Sequence, residues 1–128
     1  AAALARTGLA TATLDISDGL SRDLARLCAA SRVGATVEAG ALPVTGGTRR
    51  AAALLGRDPS EAALHGGEEY ELLFAARPGN AAKIAALGRR LELAVTRIGA
   101  VTARGSGIEV VEPGGRRGPL VPRTWEHF

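Results

Sequence analysis

The stretch Thr13–Leu27, TLDISDGLSRDLARL, changes its hydrophobic period partway through. From Leu9 to Ile16 apolar and polar residues alternate, with Ala10, Ala12, Leu14 and Ile16 on one face and Thr11, Thr13 and Asp15 on the other. That alternation predicts a half-buried strand. From Gly19 the apolar residues Leu20, Leu24, Leu27 and Cys28 recur at helical spacing to about Ala30, opposite Arg22 and Arg26. A strand therefore runs directly into a helix, with Asp15, Ser17 and Asp18 at the junction. Two readings of the junction stand side by side. Asp18 suits the N-terminal end of a helix, as a cap and as a charge facing the positive end of the dipole. Alternatively, carboxylates for magnesium, with a hydroxyl and a helix N-terminus for phosphate, make a nucleotide–metal site. Capping by one residue leaves Asp15 unaccounted for, because Asp is disfavoured on a strand.

Outward from this junction the chain keeps alternating elements. Ala35 to Ala39 reads as a short strand, and Thr48 to Leu55 as a helix closed by Gly56. Asp58 and Pro59 start a short helix that the Gly66–Gly67 pair ends. Leu72 to Ala76 is a continuous apolar run, the pattern of a buried strand, and Asn80 is placed to cap the helix that follows. AVTRIGAVTA and GIEVVEP read as two strands paired through the turn RGSG, and the Gly/Pro-rich EPGGRRGPLVPRTWEHF as irregular. Strands alternating with helices, then two strands together, predict an α/β (α+β) fold: a mixed sheet with helices packed on it, in a single domain over residues 1–128.

Composition narrows the function classes. With 46% hydrophobic, 23% charged and only 3% aromatic residues, the chain is globular and its core must be built from Ala, Leu, Val and Ile. The net charge of +3 comes from arginines that are scattered, without a run and without aromatics between them, which argues against nucleic acid. Cys28 is the sole cysteine, so there is no disulfide framework and no CxxC metal site; its place on the apolar helix face reads as structural. No apolar run is long enough for a membrane span and no signal peptide is seen, so the expected location is cytoplasmic. The chain contains no methionine, which predicts a removed initiator or a piece of something longer.

The second cluster is Leu64–Phe74, LHGGEEYELLF, where a glycine pair feeds Glu68, Glu69 and Glu71 into a strand. The glycines permit a tight turn that presents Glu68; a helix stop followed by solvated acids explains the same residues equally well. His65 and His127 are far apart and have no cysteine beside them, so neither a zinc site nor a Ser-His-Asp or Cys-His arrangement can be argued. There is no GxxxxGK[ST] or GxGxxG motif. Trp125, the one tryptophan, either anchors the tail or stacks on a flat ring.

Taken together and in this order, LDISDGLSRDLARL, LHGGEEYELLF and the closing TWEHF resemble the C-terminal domain of the thiamine-monophosphate kinases. These enzymes belong to the superfamily of aminoimidazole-ribonucleotide synthetase and selenophosphate synthetase. The resemblance covers nearly the whole chain. It implies a mixed sheet with packed helices and ferredoxin-like features, and transfer of a phosphoryl group from ATP to thiamine monophosphate. It further implies Asp15 and Asp18 as magnesium ligands, Ser17 as an ATP contact, and Glu68 and Trp125 as contacts to thiamine monophosphate. No side-chain nucleophile is implied, since the acceptor is the substrate's own phosphate. Glu69 stands where the family usually has Asp. The family's N-terminal domain, with further metal ligands, much of the ATP pocket and the principal homodimer interface, has no counterpart in these residues, so the chain alone is expected to be inactive. The rivals are another ATP-dependent superfamily member with a different substrate, and a non-catalytic domain of the same fold that binds a nucleotide or a protein partner.

Overall fold

The computed structural model describes residues 1–66 and 71–123. Strand β1 (Ala10–Asp15) forms where the alternation predicts it, with its even-numbered residues half-buried and its odd-numbered ones exposed. It follows helix α1 (Ala2–Thr7), which the sequence reading did not anticipate. Helix α2 (Leu20–Ser31) buries Leu20, Leu24 and Cys28 as its spacing requires, and is stopped by Arg32 in the left-handed conformation. Thr45 caps helix α3 (Gly46–Leu55) by accepting the Thr48 N–H, and Asp58 caps helix α4 (Pro59–His65) by accepting the Ser60 N–H. Asn80, expected to cap helix α5 (Ala81–Arg90), makes no cap bond; its amide instead donates to the Leu9 carbonyl at 3.2 Å, fastening α5 to the start of β1.

Among the described residues the strands form two sheets, the larger of which is the mixed sheet that was expected. β1 pairs antiparallel with β3 (Leu72–Ala76), with Asp15 opposite Leu72. β3 is less enclosed than its apolar run suggests: Leu73 is buried and the others are half-buried, because only one strand flanks it among the described residues. The second sheet has the order β4-β2-β5-β6, built from β2 (Gly34–Glu38), β4 (Gly99–Thr102), β5 (Ile108–Val111) and β6 (Arg117–Pro119). It is mixed: β2 runs antiparallel to β4 and parallel to β5.

Two expectations fail here. β4 and β5 do not pair with each other; β2 lies between them, and the RGSG segment bridges its end instead of closing a hairpin. Gly34 makes room for that bridge, since a Cβ there would collide with the Gly107 carbonyl and sit 2.6 Å from Thr102 Oγ1. β2 and β5 are the two inner strands; β2, flanked by β4 and β5, buries Ala35 and Val37, whereas all of β5 is half-buried. The tail expected to be irregular contributes β6, which returns onto β5 through a turn closed by Gly115 N–H to the Glu112 carbonyl.

The core joins α2, α4 and both sheets through Leu20, Leu24, Cys28, Val37, Leu64 and Leu73, an aliphatic set as the composition requires. Burying each of the larger side chains contributes roughly 1.5–3 kcal/mol. No helix among the described residues is long and apolar enough to cross a membrane.

Candidate functional site

The loop from Asp15 to Gly19 is held in shape by a residue that the sequence reading passed over. Asp23, on the first turns of α2 and 1% exposed, reaches back to accept the N–H of Ser17 at 2.7 Å and of Asp18 at 2.9 Å on one oxygen. Its other oxygen accepts from Arg26 Nη1 at 2.9 Å. A carboxylate buried this deeply needs such partners. Burial alone pushes its carboxyl pKa up, but the Asp18 and Ser17 amides and the Arg26 guanidinium outweigh burial and hold it below the ordinary value.

Asp18 does not cap the helix. The N-cap is Gly19, with no side-chain bond, and the Asp18 carboxylate pairs with Arg26 Nη1 at 2.6 Å. One guanidinium nitrogen therefore joins Asp18 to Asp23. Asp15 and Ser17 are exposed, and Asp18 is half-exposed. Among the described residues, no group of three or more His, Cys, Asp or Glu side chains could hold a metal ion. Two accessible carboxylates on one loop nevertheless fit magnesium in donor type and number, because that ion is often held by one or two carboxylates with phosphate oxygens and water.

The two clusters of the sequence meet in space. Ile16 N–H donates to the Glu71 carbonyl at 2.9 Å, extending the β1–β3 ladder by one bond. Gly19, at φ 99°, lies against the end of α4: a Cβ there would stand 3.0 Å from the His65 carbonyl oxygen and 3.1 Å from that of Gly66. Both the φ value and the close backbone approach call for glycine. The loop carrying Asp15, Ser17 and Asp18 thus touches both flanks, Gly66 and Glu71, of the glutamate-rich stretch. Glu68, Glu69 and Trp125 themselves lie outside the described residues.

A second contact was missed because its partners are 44 residues apart in sequence: Ser21 Oγ lies 2.9 Å from His65 Nδ1. Ser21 is fully buried and also meets the backbone of Arg123, whose N–H and carbonyl are both 3.3 Å from Oγ. His65 is 6% exposed, with Nε2 3.8 Å from Glu61. Burial holds its imidazole pKa below the ordinary value, against the pull of Glu61 and with the Arg123 charge adding to burial. Neither contact leaves a trace in periodicity; only the polar residue Ser21 beside Leu20, on the helix side facing α4, hints at it.

Known proteins carry the same arrangement of elements. The chain is 41% identical over 104 residues to a thiamine-monophosphate kinase of Rhodopirellula baltica, covering 81% of this chain and 32% of that protein. The structure of AaThiL complexed with AMPPCP and TMP superposes with a TM-score of 0.69 at 33% identity, covering 94% of this chain and 34% of that one. Escherichia coli HypE, a hydrogenase maturation protein, superposes with a TM-score of 0.78 at 26% identity, covering 96% and 38%. The chain spans about a third of the length of these proteins. Residues 1–112, from α1 to just past the end of β5, match the family described as AIR synthase related protein, C-terminal domain, and the chain belongs to that family.

Proposed function

We propose that this chain is the C-terminal part of an ATP-dependent thiamine-monophosphate kinase that forms thiamine diphosphate. The observation that carries the reading is the contact of the junction loop with both described flanks of the glutamate-rich stretch, Gly19 against the His65 and Gly66 carbonyls and Ile16 bonded to Glu71. The identity to the Rhodopirellula kinase and the AMPPCP- and TMP-bound AaThiL support it. In this reading Asp15 and Asp18 hold magnesium, Ser17 contacts ATP, and Glu68 and Trp125 contact thiamine monophosphate. Magnesium, when bound, supplies neutralisation of charge on the phosphate oxygens. The chain's own contribution is to fix the carboxylates: Asp23 sets the backbone at Ser17 and Asp18, and Arg26 orients the Asp18 carboxylate until a cation competes for it. The N-terminal domain completes the ATP pocket, the full-length enzyme is a homodimer, and its compartment is the cytoplasm.

The test is magnesium-dependent ADP release by the full-length protein with ATP and thiamine monophosphate. The 128-residue chain alone is expected to show none. Appreciable turnover by the chain alone overturns the division of the site, and no turnover by the full-length protein overturns the function. HypE's TM-score of 0.78 favours one other reading, an ATP-dependent member of the superfamily acting on a different substrate. Saturable quenching of Trp125 fluorescence by thiamine monophosphate in the full-length protein separates the two; silence at millimolar ligand favours the second.

A further inference from the structure

We infer that Arg26 is a built-in competitor for the Asp18 carboxylate: its guanidinium claims the oxygen that a divalent cation would take, and so sets the cation concentration at which the junction loop is filled. The inference deepens the kinase reading above, from which the magnesium is taken; the contacts that define the competitor are this chain's own.

A guanidinium nitrogen Nη1 carries two hydrogens and accepts none. In Arg26 one points to Asp18 Oδ2 at 2.6 Å and the other to Asp23 Oδ1 at 2.9 Å. The two carboxylates are held very differently. Asp23 is 1% exposed and also accepts the Ser17 and Asp18 amides, so its end of the bridge is fixed. The Asp18 side chain is 41% exposed and, among the described residues, has no other side-chain partner, so its end can let go. Arg26 itself is 53% exposed and can follow either partner.

Release of Asp18 therefore leaves Arg26 tethered to α2 through Asp23, with its charge still beside the loop. A cation on Asp18 meets two costs. It must displace an exposed ion pair, which in water lowers its affinity by about two- to fivefold. It must then share the loop with a neighbouring positive charge, which opposes it by a comparable factor. Asp15 bears neither cost directly, since no guanidinium is paired with it among the described residues. A purely structural Arg26, serving only to neutralise Asp23, predicts the opposite sign: its loss would loosen the loop and weaken cation binding.

The test titrates Mn2+ alone into the full-length protein, without nucleotide, and reads free Mn2+ by electron paramagnetic resonance. The binding that Asp18→Asn removes defines the relevant site. At that site Arg26→Gln is expected to bind Mn2+ about fivefold more tightly than wild type. Arg26→Lys, which keeps the charge, should stay within about twofold, and Arg26→Gln in the Asp18→Asn background should change the remaining binding by less than about twofold. A measurement on wild type needs no substitution to fold: the Arg26 Nη resonances, identified by their loss in Arg26→Lys, should shift with added Mg2+ and saturate as the site fills. Unchanged or weaker Mn2+ binding in Arg26→Gln, equal tightening without Asp18, wild-type binding indifferent to Asp18→Asn, or Arg26 resonances that stay put each overturn the inference. If the full-length protein transfers no phosphate to thiamine monophosphate yet these responses appear, the kinase reading falls and the competitor remains; phosphoryl transfer with none of them leaves the kinase reading and removes the competitor.

Discussion

Replacing Asp23 by Asn tests whether the junction loop is built around a buried charge. The substitution keeps the shape of the side chain and removes its ionised oxygens. Asp23 makes three hydrogen bonds, to Ser17 N, Asp18 N and Arg26 Nη1, at 2.7, 2.9 and 2.9 Å. Bonds to a charged group are worth about 1.5–3 kcal/mol each, and neutral ones about half that. Asn retains a single acceptor oxygen, and its amide hydrogens would face either the two loop N–H groups or Arg26. The expected loss is about 2–4 kcal/mol. For a domain of this size that lowers the melting temperature by roughly 8–16 °C. Thermal unfolding followed by circular dichroism at about pH 7 measures it. The pH dependence supplies a second check. The folded-state pKa of Asp23 is lowered, so its contribution is complete above the ordinary carboxyl value and is lost as pH falls through the folded one. The gap between wild type and Asp23→Asn should therefore narrow steadily below about pH 4. A variant within about 0.5 kcal/mol of wild type at neutral pH, or a gap that persists undiminished in acid, would refute the reasoning.

In the full-length protein, if the proposed kinase reading holds, Asp15→Asn is expected to lower turnover by at least about a hundredfold while leaving stability within about 0.5 kcal/mol, because its side chain is exposed; activity assay and melting curve together decide it. Gly19→Ala should cost about 2–4 kcal/mol in urea unfolding, combining a φ of 99° with a methyl group 3.0 Å from the His65 carbonyl oxygen. Cys28 is buried and its thiol pKa is pushed up by burial, so it should resist an aromatic disulfide reagent in the native chain and react at once in denaturant.

The elements were legible where a period or a stop signal is local. Alternation from Ala10 to Asp15, helical spacing from Leu20 to Cys28, and the Asp58–Pro59 start all have their structural counterparts. Pairing was less legible, because a period identifies a strand without naming its partner. Inserting β2 between β4 and β5 depends on Gly34 lacking a Cβ where the Gly107 carbonyl crosses, and that demand comes from a segment some seventy residues away. In the same way, Asn80 had a local use as a cap and a distant one at Leu9, and the distant one prevailed. The proposed site residues Asp15, Ser17 and Asp18 could be singled out because two carboxylates exceed what a helix start requires. Asp23 could not, since an Asp three residues before Arg26 on a helix is equally the mark of a solvated ion pair. Its burial arises only when the loop before α2 folds back over it.

The three aspartates of the opening stretch divide between the two explanations first offered for them. The need to satisfy N–H groups ahead of a helix is met by Asp23, which is fully enclosed and has no free oxygen to offer a cation. Asp15 is exposed at the end of β1, with no side-chain hydrogen bond among the described residues, and has no part in that task. Asp18 stands between them, half-exposed and paired with an arginine that is itself more than half exposed. Such a pair contributes little to stability in water, and it can yield when a divalent cation arrives. Neutralising substitutions should therefore rank Asp23, Asp18, Asp15 in their effect on folding, and Asp15 and Asp18 should dominate metal-dependent turnover. A shared cause, whether capping alone or metal alone, would instead make the two rankings coincide.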